Sequence, residues 1–275
     1  MTVASSARQG GARRREPGAD PVLVLDVGNS KTAYAVYRGT ALEREGQFVS
    51  RPRNAEAALR LLASRVAPGG RDATGWSTVL ASVVPAATRT WVSALRRLSG
   101  RLPMILGVDA VPGFTVRVPD PSSVGADRLA NALGALAVHG APAVVVDFGT
   151  ATTFDAVDGQ GRFLGGAIAP GLATGARCLT RSAARLRAVA LRVPRRALGR
   201  TTEEALLSGL VLGHAGLVDA LVARIAGELS GRPRIIATGG LAHLVAPLCA
   251  EVQVVDERLT RRGLLEAYRR RQKGA

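Results

Sequence analysis

The chain has 275 residues, 47% of them hydrophobic, which is enough for a packed core and too apolar for a mostly disordered polypeptide. Two cysteines, Cys178 and Cys249, exclude a disulfide framework, and no Cys/His spacing suggests structural zinc, so a reducing, cytoplasmic setting is expected. The net charge is +16, yet 35 of the 37 basic residues are scattered arginines and aromatics make up only 4%, so nucleic acid is not the expected partner.

Residues 1–20 are polar and rich in Gly and Arg without an apolar run, which predicts a disordered basic tail rather than a secretory signal. Val22 to Leu25 is a short apolar strand ending in Asp26, and Lys31 to Tyr37 reads as a second strand joined to it by a tight polar turn. Helical spacing follows at Ala55 to Val66 and Thr88 to Leu98, with a strand at Thr78 to Val84 between them. Short strands are expected at Met104 to Val108 and Thr115 to Val118, then a helix at Ala126 to His139. The stretch from Leu129 to Val146 is broken by Asn131, His139, Gly140 and Pro142, so it reads as helix, turn and strand, and no membrane span is expected.

At Ala143 the opening theme returns. Val144 to Val146 runs into Asp147-Phe148-Gly149-Thr150, and Thr152 to Val157 continues as a strand before a turn at Gly159 to Gly161. The two aspartates stand 121 positions apart in matching hydrophobic contexts, which suggests two similar folds facing one another. A third apolar strand, Ile235 to Thr238, ends in Gly239 and Gly240 and opens a helix at Leu241 to Leu248; a further helix is expected from Arg261 to Arg271.

These strand ends could carry chemistry. A glycine turn lets backbone N–H groups approach a phosphate closely and form an anion-binding concavity. Asp26 could hold Mg²⁺, directly or through water, while Asn29, Ser30 and Lys31 offer donors to phosphate oxygens; a plain hairpin bend fits that segment equally well. In the second turn, Asp147 closes a buried apolar strand and needs a cation or hydrogen-bond partners. The paired Gly239 and Gly240 would let a purine or ribose lie against backbone.

Two phosphate turns and a third glycine turn in this order resemble the actin, sugar-kinase and chaperone-ATPase superfamily, whose members close two ribonuclease-H-like α/β domains around ATP. The blocks DVGNS, ASVVP, VGADRLAN, VVVDFGTATTFD, GGAIAPG, GRTTEEALLSG, ATGG and VVDERLTRRGL resemble, in order and over nearly the whole chain beyond the tail, type III pantothenate kinase. The resemblance implies an N-terminal domain over 21–138 and a C-terminal domain over 139–275, with ATP in the cleft between them. It implies transfer of the γ-phosphoryl group of ATP to the primary hydroxyl of pantothenate, the first committed step towards coenzyme A, by a cytoplasmic homodimer.

Carried over by motif, Asp26, Val27, Gly28, Asn29, Ser30, Lys31, Thr32 and Ala33 form the first phosphate loop, and Thr150 is a second phosphate contact. Gly125, Ala126, Asp127 and Arg128 line the pantothenate site, with Asp127 as general base and Thr202 as a further substrate contact. Asp147 binds a monovalent cation, K⁺ or NH₄⁺, besides the Mg²⁺ that accompanies ATP. Without the resemblance, Asp127-Arg128 reads first as a helix-start aspartate beside a surface arginine. The chain departs from the family pattern at Val118, where a tyrosine is usual, and at Ser123, where glutamate is usual. Lys31 falls where a small polar residue is more common, and Ser30 replaces threonine. The first two departures lie on the acceptor side, so a kinase of this fold with a different hydroxyl acceptor is an alternative. A non-enzymatic accessory factor for transcription is another. His139, His214 and His243 lack metal-ligand spacing and are expected to be structural, as are both cysteines.

Overall fold

A computed structural model describes residues 20–48, 52–70, 72–183 and 185–274. Apart from Asp20, the expected N-terminal tail lies outside the described residues. The first sheet is built from β1 (Val22–Val27), β2 (Thr32–Arg38), β3 (Ala41–Phe48), β4 (Ser77–Ser82) and β5 (Met104–Ile105) in the order β3-β2-β1-β4-β5. The second uses β6 (Ala143–Phe148), β7 (Ala151–Val157), β8 (Phe163–Pro170), β9 (Arg234–Thr238) and β10 (Val254–Val255) in the order β8-β7-β6-β9-β10. In both, three antiparallel strands form a meander and two parallel strands extend it. Asp26 pairs with Ala33 and Ala81, and Asp147 with Thr153 and Thr238, so the two aspartates hold equivalent places.

Alternation along the central strands sorts side chains into layers. Leu23, Leu25 and Val27 face α1 (Ala55–Val66) and α2 (Pro85–Ser99), around the fully buried Trp91. Helix α1 begins where Asn54 Oδ1 accepts from Ala57 N at 2.9 Å, and α2 carries proline in its first turn and ends on the left-handed Gly100. Val22 and Val24 face the opposite way, onto α3 (Ala126–Val138) and α8 (Leu259–Lys273). In the second sheet Val145 meets that same middle layer, while Val144, Val146 and Phe148 face outward.

The outer layer of the second sheet holds α4 (Leu172–Ser182), α5 (Thr202–Leu207), α6 (Gly213–Gly227) and α7 (Ala242–Val245). The helical run Thr202–Gly227 is long and apolar enough to cross a membrane, but Val211, Ala215, Val218 and Val222 on it are buried in the second core. A wide π-turn over Ser208–Leu212 joins α5 to α6.

Several sequence expectations shift. Thr115 to Val118 is no strand but a single bridge from Val116 to Phe163, and the strand expected at Met104 to Val108 spans two residues. The helix expected at Leu241 to Leu248 is α7 followed by a 3₁₀ turn at Ala246–Leu248, where Pro247 removes a donor.

The middle layer is unusually close. A Cβ on Gly263 of α8 would collide with the carbonyl oxygen of Ala130 on α3, and one on Gly134 would collide with the carbonyl oxygen of Leu259. The helices therefore cross backbone against backbone, and Tyr268 Oη reaches Ser77 Oγ on β4 at 2.9 Å. Gly263→Ala is expected to destabilise the fold by about 2 kcal/mol or more, read as a lowered urea midpoint. Gly216→Ala, at an exposed α6 position with open space around it, is expected to be neutral or stabilising by up to about 1 kcal/mol.

Candidate active site

The first loop turns where Gly28 N donates to Lys31 O at 3.0 Å, and the second where Gly149 N donates to Ala151 O at 3.0 Å. Although 120 residues apart, the loops meet: Ser30 Oγ and Thr150 Oγ1 lie 3.1 Å from one another. The third glycine turn joins them. Lys31 Nζ lies 3.9 Å from the point where a Cβ on Gly240 would sit, and Leu241 N donates to Phe148 O. Gly239 has φ +92°, and a side chain there would stand on Asp147 Oδ1, so this turn can be made only by glycine. Within the first loop, Asn29, Ser30 and Lys31 are exposed, whereas Val27 and Thr32 are buried and only their backbone faces the turn.

Asp127 lies in the first turn of α3, after Gly125 at the cap and Ala126, and its Oδ1 accepts from Arg128 N at 2.8 Å. Burial pushes its carboxyl above the ordinary range, against the pull of the Arg128 amide and guanidinium. Asp26 is pushed from 3.8 to about 7 by burial and by the charges of Asp127 and Asp147, with Arg261 opposing. Asp147 is pushed to about 6 by burial, opposed by the Asn131 amide, and Asp127 adds to the rise. The charge of Asp127 thus acts on both loop aspartates, and that of Asp147 on Asp26.

Two participants were not singled out from sequence. Asp155, fully buried on β7, takes the Arg128 Nε at 2.6 Å; burial pushes its carboxyl up to about 7 against that guanidinium. Arg128 also lies over the Phe163 ring at 5.5 Å, and its Nη2 is buried with no partner among the described residues. Asn131, fully buried on α3, donates from Nδ2 to Asp147 Oδ2 at 2.9 Å. An aspartate in the interior of a strand and an asparagine on the buried face of a helix were the available signals, since both residue types are rarely buried without a partner.

The remaining expected residues divide. Thr150 also lies against the start of α4, where Thr174 Oγ1 donates to its carbonyl at 2.8 Å. Thr202 is exposed at the start of α5, and its hydroxyl makes no hydrogen bond among the described residues; the cap there is its neighbour Thr201. Val118 packs at the edge of the middle core, and Ser123 is exposed, its Oγ donating to Asp120 O at 2.6 Å. His214 is buried behind the second loop, 2.9 Å from Thr152 Oγ1, and His139 pairs with Asp256 at 3.1 Å, both structural as expected.

Among the described residues no three His, Cys, Asp or Glu side chains form a protein-only metal cage. Mg²⁺ is commonly held by one or two carboxylates plus substrate phosphates, and the donors here suit that mode. Asp26 and Asp147 are hard oxygen ligands whose affinity for protons is raised first by burial and then by neighbouring carboxylates. Each binds its proton more tightly folded than unfolded. The folded chain therefore holds more protons between about pH 4 and 7, and stability falls as the pH rises through that window. Thermal melts of the nucleotide-free protein are expected to show this slope, to flatten with Mg²⁺ and ATP, and to flatten in Asp26→Asn without ligand.

A family model for type III pantothenate kinase matches residues 22–224. A type III pantothenate kinase of Thermomicrobium roseum is 41% identical over 90% of this chain and 97% of its own length. That of Rhodospirillum rubrum is 40% identical over 91% and 99%. Among solved structures, a Campylobacter jejuni protein described as a Baf family transcriptional activator aligns with a TM-score of 0.59 at 18% identity over 91% of this chain and 99% of its own. Component A of Acidaminococcus fermentans (R)-2-hydroxyglutaryl-CoA dehydratase aligns at 0.52 and 12% identity, over 94% and 100%. Those two likenesses concern the fold: paired sheets of the actin-like ATPase kind, as expected from the repeated Asp-x-Gly strands. Matched by the family model over residues 22–224 and by two relatives at 40% identity or more over nine-tenths of its length, the chain belongs to the type III pantothenate kinase family.

Proposed function

We propose that the chain transfers the γ-phosphoryl group of ATP to the primary hydroxyl of pantothenate, with Asp127 as general base. The observation that carries this reading is the placement of Asp127 and Arg128 at the start of α3, in the same electrostatic field as the aspartates of both glycine loops.

Phosphoryl transfer passes through a loose transition state, so the protein contributes mostly position and charge. Asn29, Ser30, Lys31 and Thr150 supply donors for phosphate oxygens, and the Gly239-Gly240 turn gives the rest of the nucleotide a surface without side chains. Asp26 and Asp147 would hold the cations; when bound, Mg²⁺ and K⁺ or NH₄⁺ neutralise the charge of the polyphosphate. An alcohol is too weak an acid to be deprotonated in advance. Asp127 orients the hydroxyl and accepts its proton late, and burial makes its carboxylate a stronger acceptor than one in water. Arg128 is held by Asp155 and the Phe163 ring, which leaves its Nη2 for a carboxylate or amide oxygen of the acceptor. Thr202 joins the acceptor side through its family motif.

The family reading also implies a homodimer. The edge strand β8 supports it by exposing Leu164 and Ile168, the latter 65% accessible.

The test is ADP release by purified protein with ATP, Mg²⁺ and D-pantothenate, in potassium and in sodium. Turnover is expected to need potassium. Asp127→Asn is expected to lower kcat by about 10²- to 10⁴-fold while retaining nucleotide binding. Nucleotide binding without turnover in the wild type would overturn pantothenate as acceptor and direct attention to hydroxyl compounds that fit around Val118.

A further inference from the structure

The side of Asp147 that faces away from the cleft is not left to solvent. Its Oδ2 accepts from Asn131 Nδ2 at 2.9 Å, and Asn131 Oδ1 in turn takes a 2.7 Å hydrogen bond from Thr260 Oγ1 on α8. Chemistry fixes the direction of this chain. An ionised carboxylate only accepts, so Asn131 must present its NH₂ group; its oxygen is then left over, and Thr260 must donate to it. Asn131 is fully buried, so no water can substitute for either partner at leisure. The other carboxylate oxygen, Oδ1, faces the Gly239 turn, where no side chain fits.

The helix crossing explains why the chain can form. Gly134 lies three residues after Asn131, and Gly263 lies three residues after Thr260, so each polar residue and its glycine share one helix face. The two glycines bring the backbones into contact and thereby bring the two polar groups within hydrogen-bond reach.

We propose that Thr260 is a positioning residue of the kinase: through Asn131 it fixes the Asp147 carboxylate with Oδ1 turned to the cleft, so that cation and nucleotide meet a pre-set ligand. The inference rests on the proposed cation role of Asp147. It gives the C-terminal helix, which touches neither glycine loop through Thr260 itself, a part in nucleotide binding.

The experiment is calorimetric titration of the Mg²⁺ complex of AMPPNP into wild type, Thr260→Val, Thr260→Ser and Asn131→Leu, over a potassium series with sodium as balance. Thr260→Val removes the donor at constant shape. The potassium concentration that half-restores nucleotide affinity is expected to rise about tenfold in Thr260→Val and more in Asn131→Leu, as for other groups that orient metal ligands. Thr260→Ser should return to within about twofold of wild type, and KM for pantothenate should not change. Should Thr260→Val fail to fold, Thr260→Ala replaces it with the same expectation. A wild-type potassium response in the Val or Ala variant would overturn the proposal, as would a Ser variant no better than either. A wild type that binds nucleotide equally in potassium and sodium would overturn the cation role of Asp147 instead. The positioning role then stands only if Thr260→Val still lowers nucleotide affinity at every potassium concentration.

Discussion

Like charges converge in the middle of this molecule, and nearly every unusual feature around them limits the cost. Burial raises the proton affinity of Asp26, Asp127, Asp147 and Asp155; the charge of Asp127 adds to the rise at Asp26, Asp147 and Asp155, and that of Asp147 at Asp26 and Asp155. Burial strengthens these interactions, because little water lies between the groups to screen them. The compensation is local and specific: Arg128 on Asp155, the Asn131 amide on Asp147, and the charge of Arg261 towards Asp26. What remains is negative charge at Asp26 and Asp147, and the proposed cation binding would neutralise it.

The duplicated sheets set the distances. Each presents an aspartate at the end of its central strand, and each strand is paired on both sides, so neither aspartate's backbone can shift without the sheet. Between the sheets, α3 and α8 are the shared wall of both cores, with Leu129 and Leu264 packed against first-sheet valines and against Phe163 of β8. Arg258, at the cap of α8, and Arg261 on it also clasp Glu45 on β3, which ties the same wall to the edge strand of the first sheet. Such a rigid frame suits a reaction catalysed by placement.

The sequence revealed much of this because strand and turn signals coincide with function. An apolar run that ends in Asp-x-Gly is legible as a buried strand delivering a carboxylate, and it occurs twice. Helices α1 and α2 carry their caps in plain view at Asn54, Pro85 and Gly100. Strands β3 and β8 were not legible. The first alternates charges on a half-exposed edge, and the second is interrupted by Gly165 and Gly166, so neither has the apolar signature of a strand. The family motifs brought out Asp127 and Arg128, but not their dependence on Asp155, because the Arg128–Asp155 pair is created only when β7 docks beside α3. Thr260 was hidden for the same reason: its partner lies 129 residues earlier in the chain.

The position of α8 also has a consequence for how the molecule is made. Its Tyr268 closes onto Ser77 from 191 residues away, and its leucines complete a core begun by Val22 and Val24. During synthesis the first sheet therefore waits with one apolar face covered by α3 but not yet by α8 while the whole second sheet emerges. When α8 docks, it completes that cover and delivers the Thr260 hydroxyl to Asn131 in the same event, so the chain acquires its solvent-proof core and its set nucleotide site together.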